Sequence, residues 1–334
     1  MSSTPSRRSF LQQSTLASLG VLVAGKSVLA ANLFQAKPNS LIKGVQIGVT
    51  TYSYRAMPDS GDVLRILQYC VDSNINAVEL KGDAVEDYAG KPVNTVKLPP
   101  RVAGQTPVLS DEIKAQQKTY KNQVAAWRES VPMDKFIELG KKCKAAGLNI
   151  YAYKPNGLEK DNTDGEIDYA LRAGKALGAK CVTMELPADA AQTKRMGDLG
   201  EKNNMQIGYH AHLQSTNTVW DIALNQSKFN TMNIDCGHYI AAGNTKEDLL
   251  ALIEARHDRI SSMHLKDRMS KANGGKNRIW GEGDTPLKEI LTLMKEKKYK
   301  FPATIELEYD IPASSDPVKE TIRCLEYART LLGG

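Results

Sequence analysis

Short apolar runs alternate along this chain with segments whose apolar residues recur at helical spacing. In the segment Asp62–Ser73, for example, Val63, Leu67 and Val71 lie on one face of a predicted helix. Eight apolar runs are predicted strands: Val45–Thr51, Ile75–Leu80, Asn149–Tyr153, Lys180–Leu186, Met205–Leu213, Thr231–Asp235, Ile260–His264 and Ala303–Glu308. The long polar stretch Gly82–Gln117 interrupts the alternation and is predicted to be irregular.

Repeated strand–helix units of this size predict parallel strands joined by right-handed crossovers. Helical segments between or after the strands include Glu166–Leu177, Thr245–Arg259, Pro286–Lys297 and Val318–Leu332. Eight units predict an α/β fold of the (β/α)₈ TIM barrel type over residues 44–334. A doubly wound sheet would need a glycine-rich fingerprint after its first strand, and residues 49–54 contain no glycine.

The first 31 residues resemble a twin-arginine signal peptide. Arg7 and Arg8 precede a modest apolar stretch, and small residues end it near Ala30 and Ala31. The stretch is short for a bilayer span and is interrupted by Gly20 and Gly25, although a short anchor or an amphipathic helix is the alternative. We therefore expect the twin-arginine export machinery as a partner, a periplasmic or other extracytoplasmic location, and no stable membrane insertion.

Part of the net charge of +6 belongs to the predicted signal peptide. The chain has 44 basic and 38 acidic residues, and three of the basic ones, Arg7, Arg8 and Lys26, lie in the predicted signal, which contains no acidic residue. Residues 32–334 therefore carry 41 basic against 38 acidic side chains. So small an excess, spread along predicted helices, gives no reason to expect a nucleic-acid partner.

Ligand-type side chains gather where five successive predicted strands end. They are Glu185, His210, His212, Asp235, His238, His264, Lys266, Glu306 and Glu308. The carboxyl ends of barrel strands meet at one face, and burying imidazoles and carboxylates together is costly unless they share an ion or a polar ligand. Such a mixed set suits a divalent metal ion, with Mn²⁺ as the first choice and Co²⁺, Fe²⁺, Zn²⁺ or Mg²⁺ as alternatives.

Several of these segments resemble motifs of the sugar phosphate isomerase/epimerase family, whose members are xylose isomerase-like TIM barrels. The segments are Tyr209–His212, Ile234–His238, His264–Asp267, Trp280–Asp284 and Ile305–Glu308. The resemblance covers roughly residues 44–330. It implies a TIM barrel that binds a metal ion. It does not imply one reaction, because isomerases, epimerases, dehydratases, lyases and an endonuclease branch share these motifs.

The resemblance implies Asp235, His264 and Glu306 as metal ligands. The family usually supplies a fourth ligand as a glutamate on strand five, where this chain has His210. Glu185 on strand four is our expected replacement, with His210 as the alternative ligand. In the favoured assignment His210 is an acid–base catalyst.

The remaining polar residues at the strand ends are assigned to the substrate. Glu308 is the second acid–base candidate, although it could instead orient a metal ligand. His212, His238 and Lys266 are expected to bind substrate oxygens. The glycine-rich segment Ser270–Gly283 has the composition of a mobile lid.

A divalent ion that chelates a carbonyl and the adjacent hydroxyl would acidify the neighbouring C–H bond and stabilise an enediolate. Because phosphorylated metabolites are scarce outside the cytoplasm, we predict an isomerase or epimerase of an unphosphorylated sugar or keto-sugar. A lyase or hydratase of an oxidised (3-keto) glycoside and a non-catalytic sugar-binding barrel are the alternatives. The endonuclease branch, which would need a cluster of several metal ions and a basic DNA groove, fits poorly, because the chain lacks a surplus of ligands for three ions and export would remove it from DNA.

Overall fold

Eight parallel strands form a closed barrel in the computed structural model, which describes residues 37–99 and 108–333. Each strand pairs with the next one along the chain, and the eighth pairs with the first through Ala303↔Ile47. The strands are β1 (Val45–Thr50), β2 (Ala77–Lys81), β3 (Asn149–Lys154), β4 (Cys181–Glu185), β5 (Gln206–His210), β6 (Asn230–Asp235), β7 (Ile260–Leu265) and β8 (Ala303–Ile305). The predicted (β/α)₈ fold is thus confirmed, whereas the predicted signal at residues 1–31 lies outside the described residues.

Helices connect the strands and pack their apolar faces against the outside of the barrel. They are α1 (Val63–Asp72), α2 (Gly82–Tyr88), α3 (Asp111–Ser130), α4 (Asp134–Ala145), α5 (Asp164–Leu177), α6 (Ala190–Asn203), α7 (Asp221–Gln226), α8 (Cys236–Ala241), α9 (Lys246–Arg256), α10 (Leu287–Lys297) and α11 (Pro317–Leu331). Two short antiparallel pairs join Leu41–Ile42 to β1 and Asp267–Arg268 to Asn277–Arg278. Across the described ranges, no helix combines the length and apolarity that a membrane span requires.

The ends of α5 show how local sequence sets an element. The Thr163 side chain accepts a hydrogen bond from the Glu166 backbone N–H, and the Glu166 carboxylate accepts one from the Thr163 N–H. This capping box satisfies donors that the first helical turn leaves unpaired. Gly178 ends the helix with φ +89°, a left-handed conformation that glycine adopts without steric cost. The helix is therefore fixed in length between two strands.

The barrel interior is polar as well as apolar. The Tyr151 hydroxyl from β3 lies 3.2 Å from the Ser262 hydroxyl and also hydrogen-bonds with Thr304, so three strands are linked across the interior. Gly48 of β1 leaves room for this cluster, since a Cβ there would lie 3.0 Å from the Thr304 Oγ1 atom. These hydrogen bonds thus connect β3, β7 and β8 inside the barrel.

The structure differs from the sequence prediction at three places. Strands β5 and β8 end three residues earlier than predicted. After β8, the Leu307 N–H donates to the Ser53 side chain rather than to a neighbouring strand, which ends the ladder and leaves Glu306 and Glu308 on a connecting segment. The polar stretch predicted to be irregular includes the helix α2, in which Val85 and Glu86 are buried.

Candidate metal and substrate site

A buried carboxylate on β2 holds the His264 ring in place. Glu79 is fully buried, and its carboxylate contacts His264 Nε2 while accepting hydrogen bonds from Thr183 (2.5 Å) and Asn233 (3.4 Å). A carboxylate only accepts, so His264 Nε2 carries the proton and Nδ1 points toward the site. Burial opposes the charge on Glu79, but the neighbouring His264 outweighs it and lowers the Glu79 pKa. The sequence prediction missed Glu79.

Four residues at successive strand ends each contribute one buried, ligand-type atom beside this pair, and we call these atoms the four-atom centre. They are His210 Nδ1, Asp235 Oδ2, His264 Nδ1 and Glu306 Oε2, and none of them has a hydrogen bond of acceptable geometry within residues 37–99 and 108–333. His264 Nδ1 lies 3.2 Å from Glu306 Oε2 and 3.8 Å from Asp235 Oδ2. The two carboxylate oxygens each face the Lys266 ammonium, whereas a buried imidazole nitrogen without a partner, such as His210 Nδ1, is rare and needs an explanation. Two imidazole nitrogens and two carboxylate oxygens fit a divalent cation such as Mn²⁺, Fe²⁺, Co²⁺ or Zn²⁺.

Helix α8 orients the Asp235 side chain within this four-atom centre. Asp235 is the N-cap residue, and its Oδ1 accepts a hydrogen bond from the His238 N–H at 2.7 Å. The other oxygen, Oδ2, is thereby turned toward the centre. The ligand atoms of Asp235, His210 and His264 all lie within 4.8 Å of one another.

Lys266 balances the negative charge at the centre. Its buried ammonium group lies 3.1 Å from Asp235 Oδ2, 2.6 Å from Glu306 Oε2 and 2.7 Å from Glu308 Oε2. Burial alone would lower the Lys266 pKa, but the three carboxylates raise it above its usual range. Lys266 is therefore a fixed cation, and its bond to Glu308 sets the position of that carboxylate at the pocket wall.

His238 lies between two cations and stays neutral. Its Nε2 is 3.2 Å from the Lys266 ammonium, and its Nδ1 is 2.6 Å from the guanidinium of Arg268, a residue absent from the sequence prediction. Burial and the adjacent Lys266 charge lower the His238 pKa to about 3. The ring therefore carries no positive charge at neutral pH, and its predicted role in substrate binding stays a prediction.

Glu185 lies at the rim, apart from the four-atom centre. Its side chain is 49% exposed, with one oxygen 2.6 Å from the Lys154 ammonium and the other 3.6 Å from His212 Nε2. His210, by contrast, is buried, and its pKa is lowered first by burial and then by the nearby His264 charge. Glu185 as fourth ligand remains a prediction, while the geometry brings His210 to the centre.

A cavity of about 220 Å³ opens above the centre. Its lining joins the centre to the rim and includes Thr50, Tyr52, Lys81, Lys154, Glu185, His210, His212, His264, Glu306 and Glu308. Strands β4 and β8 are four places apart in the ring of eight, and both Glu185 and Glu308 line this one opening. The predicted substrate residue His212 lies at this rim, with its ring 4.7 Å from that of His210.

Asp267 fastens the segment predicted to be a mobile lid. Its carboxylate accepts hydrogen bonds from the backbone N–H groups of Gly281 (2.8 Å), Gly283 (2.9 Å) and Thr285 (3.2 Å). A Cβ at Gly283 would lie only 2.2 Å from the Asp267 oxygen, so the contact requires glycine at this position. The glycines therefore serve close approach of the backbone to a buried carboxylate.

Ion binding at the centre is expected to release about one proton near neutral pH. Burial alone would lower the His264 pKa, but the Glu79 and Glu306 carboxylates outweigh burial and raise it, so the ring is doubly protonated before an ion binds. An ion that takes Nδ1 must displace one proton. Affinity for Mn²⁺ should therefore rise with pH below the raised pKa. Calorimetric titration in two buffers of different ionisation enthalpy measures the proton count, and identical heats in both buffers would contradict this assignment.

The fold and this centre define the class of protein. Residues 115–328 match the model of the xylose isomerase-like TIM barrel family, so the chain belongs to that family and the predicted resemblance is confirmed. A sugar phosphate isomerase/epimerase from Parabacteroides distasonis ATCC 8503 shares the fold at 16% identity and a TM-score of 0.53, over 86% of this chain and 94% of that one.

Two further proteins similar to this chain have more specific names. Inosose dehydratase from Clostridium tetani (strain Massachusetts / E88) is 25% identical over 153 residues, which are 40% of this chain and 50% of that protein. The chain spans about half the length of the curated relatives it matches. The 3-keto-D-glucoside 4-epimerase of E. coli has 13% identity and a TM-score of 0.52 over 86% of this chain and 99% of its own, a likeness of fold.

Proposed function

We propose that this chain is a divalent-metal-dependent epimerase of an unphosphorylated keto-sugar. The observation that supports the proposal is that one pocket beside the four-atom centre is lined both by Glu308 and by the Glu185–His212 pair. Glu308 follows β8, and the Glu185–His212 pair follows β4 and β5. Epimerisation needs a group on each face of the reacting carbon, since the proton leaves one face and returns to the other.

The residues of the centre divide the work. We infer that His210, Asp235, His264 and Glu306 would hold the ion, with His210 in place of the family's strand-five glutamate. When bound, such an ion polarises a carbonyl and the neighbouring hydroxyl. Lys266 and the neutral His238 orient substrate oxygens and neutralise the negative charge that develops on them.

Proton transfer is assigned to the two walls. Glu308 takes the proton from the carbon next to the carbonyl, while Lys266 at 2.7 Å keeps the carboxylate in position. His212, held near Glu185 at 3.6 Å, delivers a proton to the opposite face. Both side chains are partly exposed, which allows protons to exchange with water between turnovers.

Elimination is the second candidate reaction, because the sequence relatives found over 153 to 160 residues are named inosose dehydratase. The same residues would serve it: Glu308 removes the proton and His212 protonates the departing oxygen. The two reactions differ in product, since elimination removes a substituent and epimerisation only inverts one centre.

The test is turnover of keto-sugars and 3-keto-glycosides with Mn²⁺ in deuterated water. We expect an inverted product carrying deuterium on the carbon next to the carbonyl. Glu308→Gln should lower the rate by roughly 10²- to 10⁴-fold, the usual contribution of a positioned base. Glu326→Gln, a change at a carboxylate on α11 that pairs with Arg329, is the control and should leave the rate unchanged. Turnover with loss of a substituent would favour elimination, and an absence of exchange with any sugar would reject both reactions.

A further inference from the structure

A second cavity adjoins the pocket above the four-atom centre. It has a volume of about 480 Å³, compared with about 220 Å³ for the pocket, and the two share Lys81 and Lys154 as lining residues. Both lysines end strands, β2 and β3, so the cavity opens on the same face of the barrel as the pocket. We call this cavity the side cleft. It lies between α2, α3 and the segment that follows β3.

Hydrogen-bonding groups in the side cleft are held in place by a buried network. Arg128 donates to Glu86 at 2.9 Å and to Glu166 at 3.0 Å. Asn156 donates to Asp83 at 2.9 Å and to Glu86 at 3.0 Å. Because these side chains already fix one another, the cleft presents donors and acceptors without paying the entropy of ordering them on binding.

The rim of the side cleft adds free donors and an aromatic ring. Lys81 and Lys121 have no carboxylate within ion-pair distance in the described part of the chain, and Lys81 lies 4.8 Å from the Tyr52 ring centroid. Tyr120 is held by a hydrogen bond from its hydroxyl to the Pro92 carbonyl at 3.2 Å. The cleft thus offers lysine donors beside a partly buried aromatic face.

This combination selects a polyhydroxylated ligand. Three carboxylates, those of Asp83, Glu86 and Glu159, line the cleft together with basic side chains, so the surface offers acceptors as well as donors rather than a charge of one sign. An apolar ligand would cover the Lys81 and Lys121 ammonium groups without offering them acceptors, which is costly. Hydroxyl groups both donate and accept, and they match such a mixed surface.

We propose that the side cleft binds the second ring of a glycoside or disaccharide whose reacting ring lies above the four-atom centre. The identity of the reacting ring rests on the proposed function, whereas the cleft itself does not. The pocket alone is smaller than the roughly 300 Å³ at which typical ligand sites begin. The continuity of the two cavities through Lys81 and Lys154 gives a two-ring ligand a single binding surface.

The test compares binding of unreactive sugars that differ by one ring. Cellobiose and methyl β-glucoside form one pair, and maltose and methyl α-glucoside form the other, each titrated calorimetrically into the full chain with Mn²⁺ present. We expect at least one disaccharide to bind tenfold or more tightly than its methyl glucoside. Lys121→Trp, which places a large side chain in the cleft, should remove this advantage and leave binding of the methyl glucosides unchanged.

Gln123→Trp is the matched control, because Gln123 is exposed on the same helix and does not line the cleft. It should keep the disaccharide advantage. Equal binding within both sugar pairs in the unmodified chain, or an advantage that survives Lys121→Trp, would overturn the proposal. A disaccharide advantage without turnover of any keto-sugar would reject the proposed function and support the side cleft. Turnover of a keto-sugar with equal binding within both sugar pairs would support the proposed function and reject the side cleft.

Discussion

Asp235→Asn is expected to remove the bound ion and lower turnover by about 1000-fold. An asparagine keeps the oxygen that caps α8, so the helix and the fold should persist. It replaces the oxygen that faces His264 and Glu306 by an amide group that cannot bind a cation. A loss of about 4 kcal/mol of transition-state stabilisation corresponds to that change in rate. Metal analysis after gel filtration and the epimerisation rate measure both effects.

Glu185→Gln and His210→Ala are the companions to this variant. Because Glu185 lies at the rim, Glu185→Gln should retain the ion and change only the rate. His210→Ala should lose the ion together with the activity, since His210 has a ligand atom within 4.8 Å of those of Asp235 and His264. A variant set in which Glu185→Gln loses the ion while Asp235→Asn and His210→Ala keep it would reject the four-atom centre.

Glu79→Gln is expected to weaken binding of Mn²⁺ by about 10- to 100-fold without removing a ligand. The carboxylate fixes the His264 tautomer, and an amide can present its NH₂ group to Nε2 and so favour the wrong one. We expect a loss of roughly 2 kcal/mol in the free energy of unfolding as well, because a buried charged hydrogen bond is removed. Metal titration and urea denaturation separate the two effects.

The control for Glu79→Gln is a carboxylate of similar burial outside the centre. Glu166 accepts a hydrogen bond from Arg128 at 3.0 Å and is buried on α5. Glu166→Gln should lower stability and leave Mn²⁺ affinity unchanged. If both variants weakened the ion equally, Glu79 would act through general stability rather than through His264.

The sequence located most of the centre because the fold makes strand order predictable. Asp235, His264 and Glu306 each follow an apolar run, and parallel strands in a closed barrel bring such positions to one face. The period of the pattern and the number of strands predict which side chains meet at this face. The choice of Asp235, His264 and Glu306 as ligands among them came from the family resemblance, and neither argument predicts the contacts of individual atoms.

Glu79 escaped prediction because it lies inside an apolar run rather than at its end. Its neighbours Val78 and Leu80 are buried on the opposite side of β2, and a charge in such a strand has no local explanation. Its partner, His264, is 185 residues away in the chain. A carboxylate in a buried strand is costly, so Glu79 itself was a sign that a compensating partner exists. Only the closed barrel shows that this partner is His264.

The sequence analysis favoured Glu185 over His210 as the fourth ligand, although the strand pattern itself does not separate the two. They are paired in register on neighbouring strands, so the alternation of side chains gives them equivalent positions. The structure distinguishes them through Lys154, which binds the Glu185 carboxylate at the rim. That contact depends on the curvature of the barrel, which the pattern of apolar residues does not contain.

The bonds between Asp267 and the segment ending at Thr285 have a kinetic consequence. Since Gly281, Gly283 and Thr285 are tied to one carboxylate, this end of the glycine-rich segment is held in a single arrangement. A lid motion of the segment would therefore have to break these bonds or take place before residue 281. Glu308, whose side chain is 25% exposed, is meanwhile open to bulk solvent.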